Sequence, residues 1–129
     1  MLAGLALAGC APVGPGATPP NSSVEGSWRV LEVKRQAVPS SGEYRISFDD
    51  GRLAARFGCN SMGGRYRQAG RFLHASDVAS TLMGCPEPAG TIERDGGAIL
   101  GQAMSISWTS RDHLELSNRA GGIKLIRAR

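Results

Sequence analysis

Long apolar runs, histidine and lysine are scarce in this chain, and each scarcity narrows what the protein does. The longest apolar stretch, residues 1–9, falls well short of the about 20 residues a membrane-spanning helix needs, and Pro12, Gly14, Pro15 and Gly16 end it promptly. Two histidines, His74 and His113, and three cysteines are the soft ligands present, and none has metal-ligand spacing, so neither a metal nor a cofactor is expected. Aromatics make up only 5% of the residues while glycine contributes 18, a balance that favours turns and strands over long helices. Thirteen arginines but only two lysines stand against eleven acids, for a net charge of +4. So small an excess, with no recognition motif, argues against nucleic acid and suits anionic lipid head groups better.

The first ten residues carry their own signal. Leu7-Ala8-Gly9-Cys10 follows an apolar stretch rich in small residues, as in the downstream part of a secretory signal, and resembles a lipobox. That resemblance implies cleavage before Cys10 and acylation of the cysteine, which anchors the protein stably because each buried methylene contributes about 0.8 kcal/mol. No Lys or Arg precedes Cys10, so residues 1–9 are read as part of a longer signal peptide, with an apolar tail or a fragment of a spanning helix as the plainer alternative. Ala11 lacks the acidic character that resembles an inner-membrane retention signal, which points to the outer membrane, facing the periplasm. Residues 10–25 mix Pro, Gly, Ser and Thr with little apolar content and read as a lipidated flexible linker. One domain is expected over residues 26–129.

Within that domain the alternation of apolar and polar residues is that of strands. Trp28 to Lys34 forms a first run. Tyr44, Ile46 and Phe48 alternate with Glu43, Arg45 and Ser47, Asp49-Asp50-Gly51 supplies a tight hairpin turn, and Leu53, Ala55 and Phe57 return. A glycine-rich bend from Gly58 to Gly64 is expected next, then two short strands around Arg65-Tyr66-Arg67 and Arg71-Phe72-Leu73-His74. Residues 77–83 are ambiguous. A helix is expected over residues 89–104, with Pro88 in its first turn, Ile92, Ile99, Leu100 and Ala103 on one face, and Glu93, Arg94 and Asp95 facing water. Gly96 and Gly97 weaken it by about 1 kcal/mol each, so a break is expected there unless tertiary packing holds it. Three further alternating runs end the chain. The fold class is α+β, mainly β: an antiparallel meander of about eight strands with one helix packed on it.

Gly58-Cys59-Asn60, then Gly64 and Tyr66, then Ser80-Thr81-Leu82-Met83-Gly84-Cys85-Pro86 ahead of a helix containing Glu93, resemble the META domain of HslJ-like proteins. The resemblance covers nearly all of residues 26–129. It implies a partly open antiparallel β-barrel with a packed helix, and a role in heat-shock or antibiotic-tolerance physiology without an agreed activity. Ser61-Met62 and the glycine-rich helix depart from the family pattern.

Cys59 and Cys85, an even pair in an exported domain, are candidates for a disulfide closing a loop of about 25 residues and stabilising by about 3 kcal/mol. Two buried thiols are the alternative. Asn60 is expected to set its bend by bonding its own backbone. Arg65, Arg67 and Arg71 are candidate contacts for an anion or lipid head group, against the plainer reading of a solvated, charge-protected sheet face. No catalytic residues are expected. A hydrolase using Cys59 or Cys85 with His74 or His113 lacks any nucleophile motif, and Asp49, Asp50 and Glu87 are explained by their turn and by the helix start. The expected protein is a non-catalytic, monomeric envelope lipoprotein, attached to the membrane through Cys10, with a hydrophobic ligand or an envelope protein as partner. A purely structural stress lipoprotein is the alternative. The two differ in their interiors: a binder needs an apolar cavity bordered by Met62, Met83, Met104 or the aromatics, whereas a structural protein has a filled core.

Overall fold

The computed structural model describes residues 22–129; the lipobox and most of the expected linker lie outside them. Nine strands and one helix follow in the order β1 (Gly26–Val33), β2 (Gln36–Ala37), β3 (Tyr44–Asp49), β4 (Arg52–Phe57), β5 (Ser61–Ala69), β6 (Phe72–Ser80), α1 (Ala89–Leu100), β7 (Met104–Ser110), β8 (His113–Asn118) and β9 (Gly121–Arg127). Eight of them pair antiparallel with their neighbours, and β1 pairs with β9 to close a barrel, while β2 is a two-residue addition alongside the end of β1. The seam between β6 and β7 is held by only two register pairs, Phe72 with Ser105 and Leu73 with Met104. Below it, residues 74–80 of β6 have no strand partner on that side among the described residues, although the β1–β9 pairing closes the barrel.

Alternation decides what fills the interior. Trp28, Ile46, Phe48, Phe57, Leu73, Leu116 and Ile123 are completely buried and belong to one core cluster with Met62 and Met104. Trp28 stacks at a tilt on Trp108, with ring centroids 5.7 Å apart, and Phe48 meets Tyr66 edge-on at 5.0 Å. Side chains therefore occupy the space an acyl chain would need.

Several sequence-based boundaries move. The domain begins before Gly26: Val24 is fully buried, its carbonyl accepts the Trp28 indole N–H at 2.7 Å, and Gln68 Nε2 donates to the Ser22 carbonyl at 2.7 Å. Residues 22–25 thus lie along one rim of the barrel rather than in a free linker. Gly58 to Asn60 do turn, but from Ser61 the expected bend is already part of a nine-residue strand, β5, that runs through Arg65-Tyr66-Arg67, and residues 77–80 of the ambiguous segment end β6. A bulge between Gly63 and Arg65 lets both strands continue. Gly64 permits it, because a Cβ there would lie 2.8 Å from the Ser76 carbonyl oxygen. The Asp50-Gly51 turn has the positive φ angles expected of it, 48° and 78°.

The helix is shorter than expected, ending at Leu100, with Ala103 exposed and Met104 opening β7. It runs unbroken through Gly96 and Gly97 because packing holds it. Gly96 is buried against Phe57, whose ring would be 2.6 Å from an added Cβ, and the Asn118 side chain donates to the Ile99 carbonyl at 2.8 Å at the helix end. At the other end, the Thr91 hydroxyl and N–H bond to Glu87 and hold its carboxyl below the ordinary 4.5.

Gly96→Ala, which an isolated helix would welcome by about 1 kcal/mol, is expected to destabilise the protein by about 1–3 kcal/mol through overpacking. Phe57→Leu in the same chain should restore part of the loss, as read by chemical denaturation. A depressed carboxylate stabilises the fold above its unfolded pKa and loses that contribution as pH falls through the folded value. Thr91→Val should therefore lower stability at neutral pH, with the difference from wild type shrinking below about pH 4.5.

Candidate functional site

The turn between β4 and β5 and the segment between β6 and α1 meet at one corner of the barrel, and the chemistry of that meeting centres on one side chain. Asn60 is 3% exposed, the one buried polar residue among those described. It does not bond its own backbone. Its Oδ1 accepts the Met83 N–H at 2.7 Å and the Thr81 hydroxyl at 2.9 Å, and its two amide hydrogens serve Glu93 Oε2 at 2.8 Å and the Met83 carbonyl at 3.1 Å. Its backbone N–H donates to Glu93 Oε1 at 2.8 Å. Glu93, expected to face water, is instead half-buried and takes both donors from Asn60. Ser61 and Thr81 complete the joint, each backbone N–H donating to the other residue, Ser61 to the Thr81 hydroxyl and Thr81 to the Ser61 carbonyl.

Beside this network Cys59 and Cys85, 26 positions apart in the chain, form a disulfide with Cα atoms 5.9 Å apart. Asn60 Nδ2 lies 3.2 Å from Cys85 Sγ. Hydrogen bonds and a covalent bond therefore hold the same loop from its two ends. What they hold is apolar and outward: Leu82 is 95% exposed and Met83 58%, with Val78 of β6 at 39% nearby in the chain. Met83 has its backbone fixed on both polar atoms while its side chain faces solvent, so it does not border an internal cavity.

The other sequence candidates are dispersed. Arg65 and Arg67 lie on the outer face of β5, where Arg65 faces Arg52 of β4 and Arg67 faces His74 of β6. Arg71 stands apart in the β5–β6 turn, its carbonyl accepting the Ile106 N–H at 2.7 Å. His113 Nδ1 lies 2.9 Å from Ser110 Oγ, but the two flank the β7–β8 turn, as the last residue of β7 and the first of β8, and the same hydroxyl accepts the Asp112 N–H, so the contact serves the turn. Neither histidine adjoins the cysteines, and in the disulfide neither sulfur is a nucleophile. Cys10 lies outside the described residues. The Asn60 to Glu93 link was missed because the two are 33 positions apart; the signal was present in Asn60 and Glu93 both belonging to the motif pattern.

The fold and this corner define a small antiparallel barrel with a filled interior, one helix against it and a disulfide-stapled loop. The chain belongs to the META domain family, whose model matches residues 22–128. Two proteins solved by NMR share the fold. One matches with a TM-score of 0.68 at 18% identity, over 79% of this chain and 88% of its own; the other, from Burkholderia xenovorans, with 0.64 at 20%, over 81% and 82%. No curated protein matches the chain.

Asn60→Ala would strand the Met83 N–H and take the amide donor from Glu93 Oε2, leaving that carboxylate only the backbone N–H of residue 60, and is expected to cost about 2–3 kcal/mol. Combined with Cys59→Ser and Cys85→Ser, the loss should be less than the sum of the separate losses, because both devices restrain one loop. Urea denaturation of the single and combined variants measures it.

Proposed function

We propose that this protein is a non-catalytic envelope lipoprotein of the META type, attached to the outer membrane through acylated Cys10, whose barrel is a rigid support for a surface that meets an envelope protein. The observation that carries the reading is the Leu82-Met83 pair, exposed yet held by Asn60 and by the disulfide. An exposed apolar pair on a loop positioned by a rigid scaffold is the placement that binding residues commonly take. A disulfide fits an oxidising compartment, and the lipobox-like Leu7-Ala8-Gly9-Cys10 fits export to it. A role in heat-shock or antibiotic tolerance is the physiological setting that family membership suggests. A thiol or histidine hydrolase finds no support in sulfurs joined to each other and histidines at other places. The filled core favours one second reading, a purely structural stress lipoprotein.

Intact-mass analysis of the protein from bacterial membranes, with and without reduction and alkylation, is the direct test. An acylated mass beginning at Cys10, with Cys59 and Cys85 alkylated only after reduction, is expected. A chain without acyl groups in the soluble fraction would sink the reading. Leu82→Ser with Met83→Ser should leave the melting temperature within a few degrees of wild type, since both side chains are solvated. That variant should fail to complement a deletion strain under envelope stress; full complementation would favour the structural reading.

A further inference from the structure

The thirteen arginines are spread unevenly over the barrel. Strands β3, β4 and β5 carry Arg45, Arg52, Arg56, Arg65 and Arg67 against one acid, Asp49, and β1 adds Arg29 and, further along, Glu32, which pairs with Lys124 of β9. Alternation puts all six on the outer face, five of them exposed and Arg56 half-buried. The register then sets them against one another. Arg29 faces Arg45 and Arg45 faces Arg56 in one row across the strands, while Arg52 faces Arg65 in a second row, beside the Arg67 and His74 pair. The rows are four residues apart along β4, about 13 Å. Between them Ser27, Ser47, Ala54 and Gly63 keep the surface low.

Like charges directly opposite in a sheet are destabilising, because their Cβ atoms are only about 5 Å apart. Among the described residues only Arg56 of the six has an ion contact, Nε to Glu43 Oε2 at 2.7 Å. Asp49 continues the second row, facing Arg52 across β3 and β4, and Asp49 and Asp77 border the same shallow depression as Arg52 and Arg65, though neither they nor Asp50 form an ion pair among the described residues. Three opposed arginine pairs on one face thus work against the isolated domain and become favourable when anions cover them. The chain enters the domain at the rim where β5 ends: Ser22 and Val24 are both bonded to the side chain of Gln68, the residue after Arg67. Ser22 is twelve positions beyond Cys10, a distance a chain spans with at most about 40 Å.

We propose that the arginine face of β1, β3, β4 and β5 lies against an anionic phospholipid surface and orients the domain on it. The proposal rests on the lipid-anchored reading for its place in the cell. Charge complementarity supplies the attraction, each arginine near such a surface contributing independently of any pocket, and no large apolar side chain stands in either arginine row, so the domain adsorbs at head-group level without inserting. Arg29, Arg45, Arg52 and Arg56 are not singled out by the sequence; the alignment of Arg52 with Arg65 exists only through the β4–β5 register. Asp49, opposite Arg52, ends the second row on β3; burial, then Glu25, and then Asp49 and Asp50 keep the Tyr66 hydroxyl protonated above its ordinary range.

The test uses the full chain with Cys10→Ser, so that no acyl group contributes, and co-sedimentation with vesicles of phosphatidylethanolamine with or without phosphatidylglycerol. Binding is expected only with phosphatidylglycerol and should fall as salt rises. Arg45→Gln, Arg52→Gln and Arg65→Gln together should weaken it by about tenfold or more, while melting at or above the wild-type temperature because repulsion is relieved. Arg94→Gln, Arg111→Gln and Arg119→Gln, an equal change in net charge at exposed sites elsewhere, should bind nearly as wild type. Equal losses in both triple variants would overturn the proposal, as would binding indifferent to phosphatidylglycerol. Retention of soluble inorganic polyphosphate by this face, without vesicle binding, would reassign it to a dissolved polyanion. Failure of acylation at Cys10 in the cell would refute the anchor without altering these vesicle results.

Discussion

Closure of the first full strand onto the last is the constraint from which the other features follow. Pairing of β1 with β9 joins Trp28 to Arg127 and Val33 to Ile123 across almost the full length of the chain, and it removes the open edges that a meander of this size would otherwise expose at both ends. Arg127 then lies over the Trp28 ring, 4.3 Å from its centroid, covering one end of the barrel. With the interior filled by side chains from all eight strands, recognition is left to the outer surface and to the loops at its ends.

One of those loops is held far more firmly than its solvent exposure requires. Asn60 ties together the β4–β5 turn, residues 81–83 and the helix through Glu93, next to a disulfide joining nearly the same points. A buried amide with every group satisfied specifies one geometry, since any displacement strands a donor or an acceptor. Leu82 and Met83 inherit that geometry. Gly96 matters for the same reason at the helix: its missing Cβ lets α1 approach Phe57, which in turn places Glu93 within reach of Asn60.

The outer sheet face presents the reverse situation, an arrangement that costs stability. Arg29, Arg45 and Arg56 are separated widely in sequence, as are Arg52 and Arg65, so nothing local opposes their accumulation. Only the register makes them neighbours. A stable barrel tolerates this because its core, not its surface charge, carries the folding free energy.

Much of the architecture was legible in the order of residues. Period-2 alternation marked the strands, Asp50-Gly51 the hairpin, the spacing of Ile92, Ile99 and Leu100 the buried side of the helix, and the Gly58-Cys59-Asn60 and Thr81-to-Pro86 motifs the family. These are local properties, set by side-chain periodicity and by backbone angles that a few residues favour. The bulge at Gly64, the burial of Val24, the continuity of the helix through two glycines, the role of Asn60 and the opposition of Arg52 to Arg65 were not legible. Each depends on which atoms from distant parts of the chain come within a few ångströms, and that is settled by barrel closure and strand register rather than by any stretch of sequence alone.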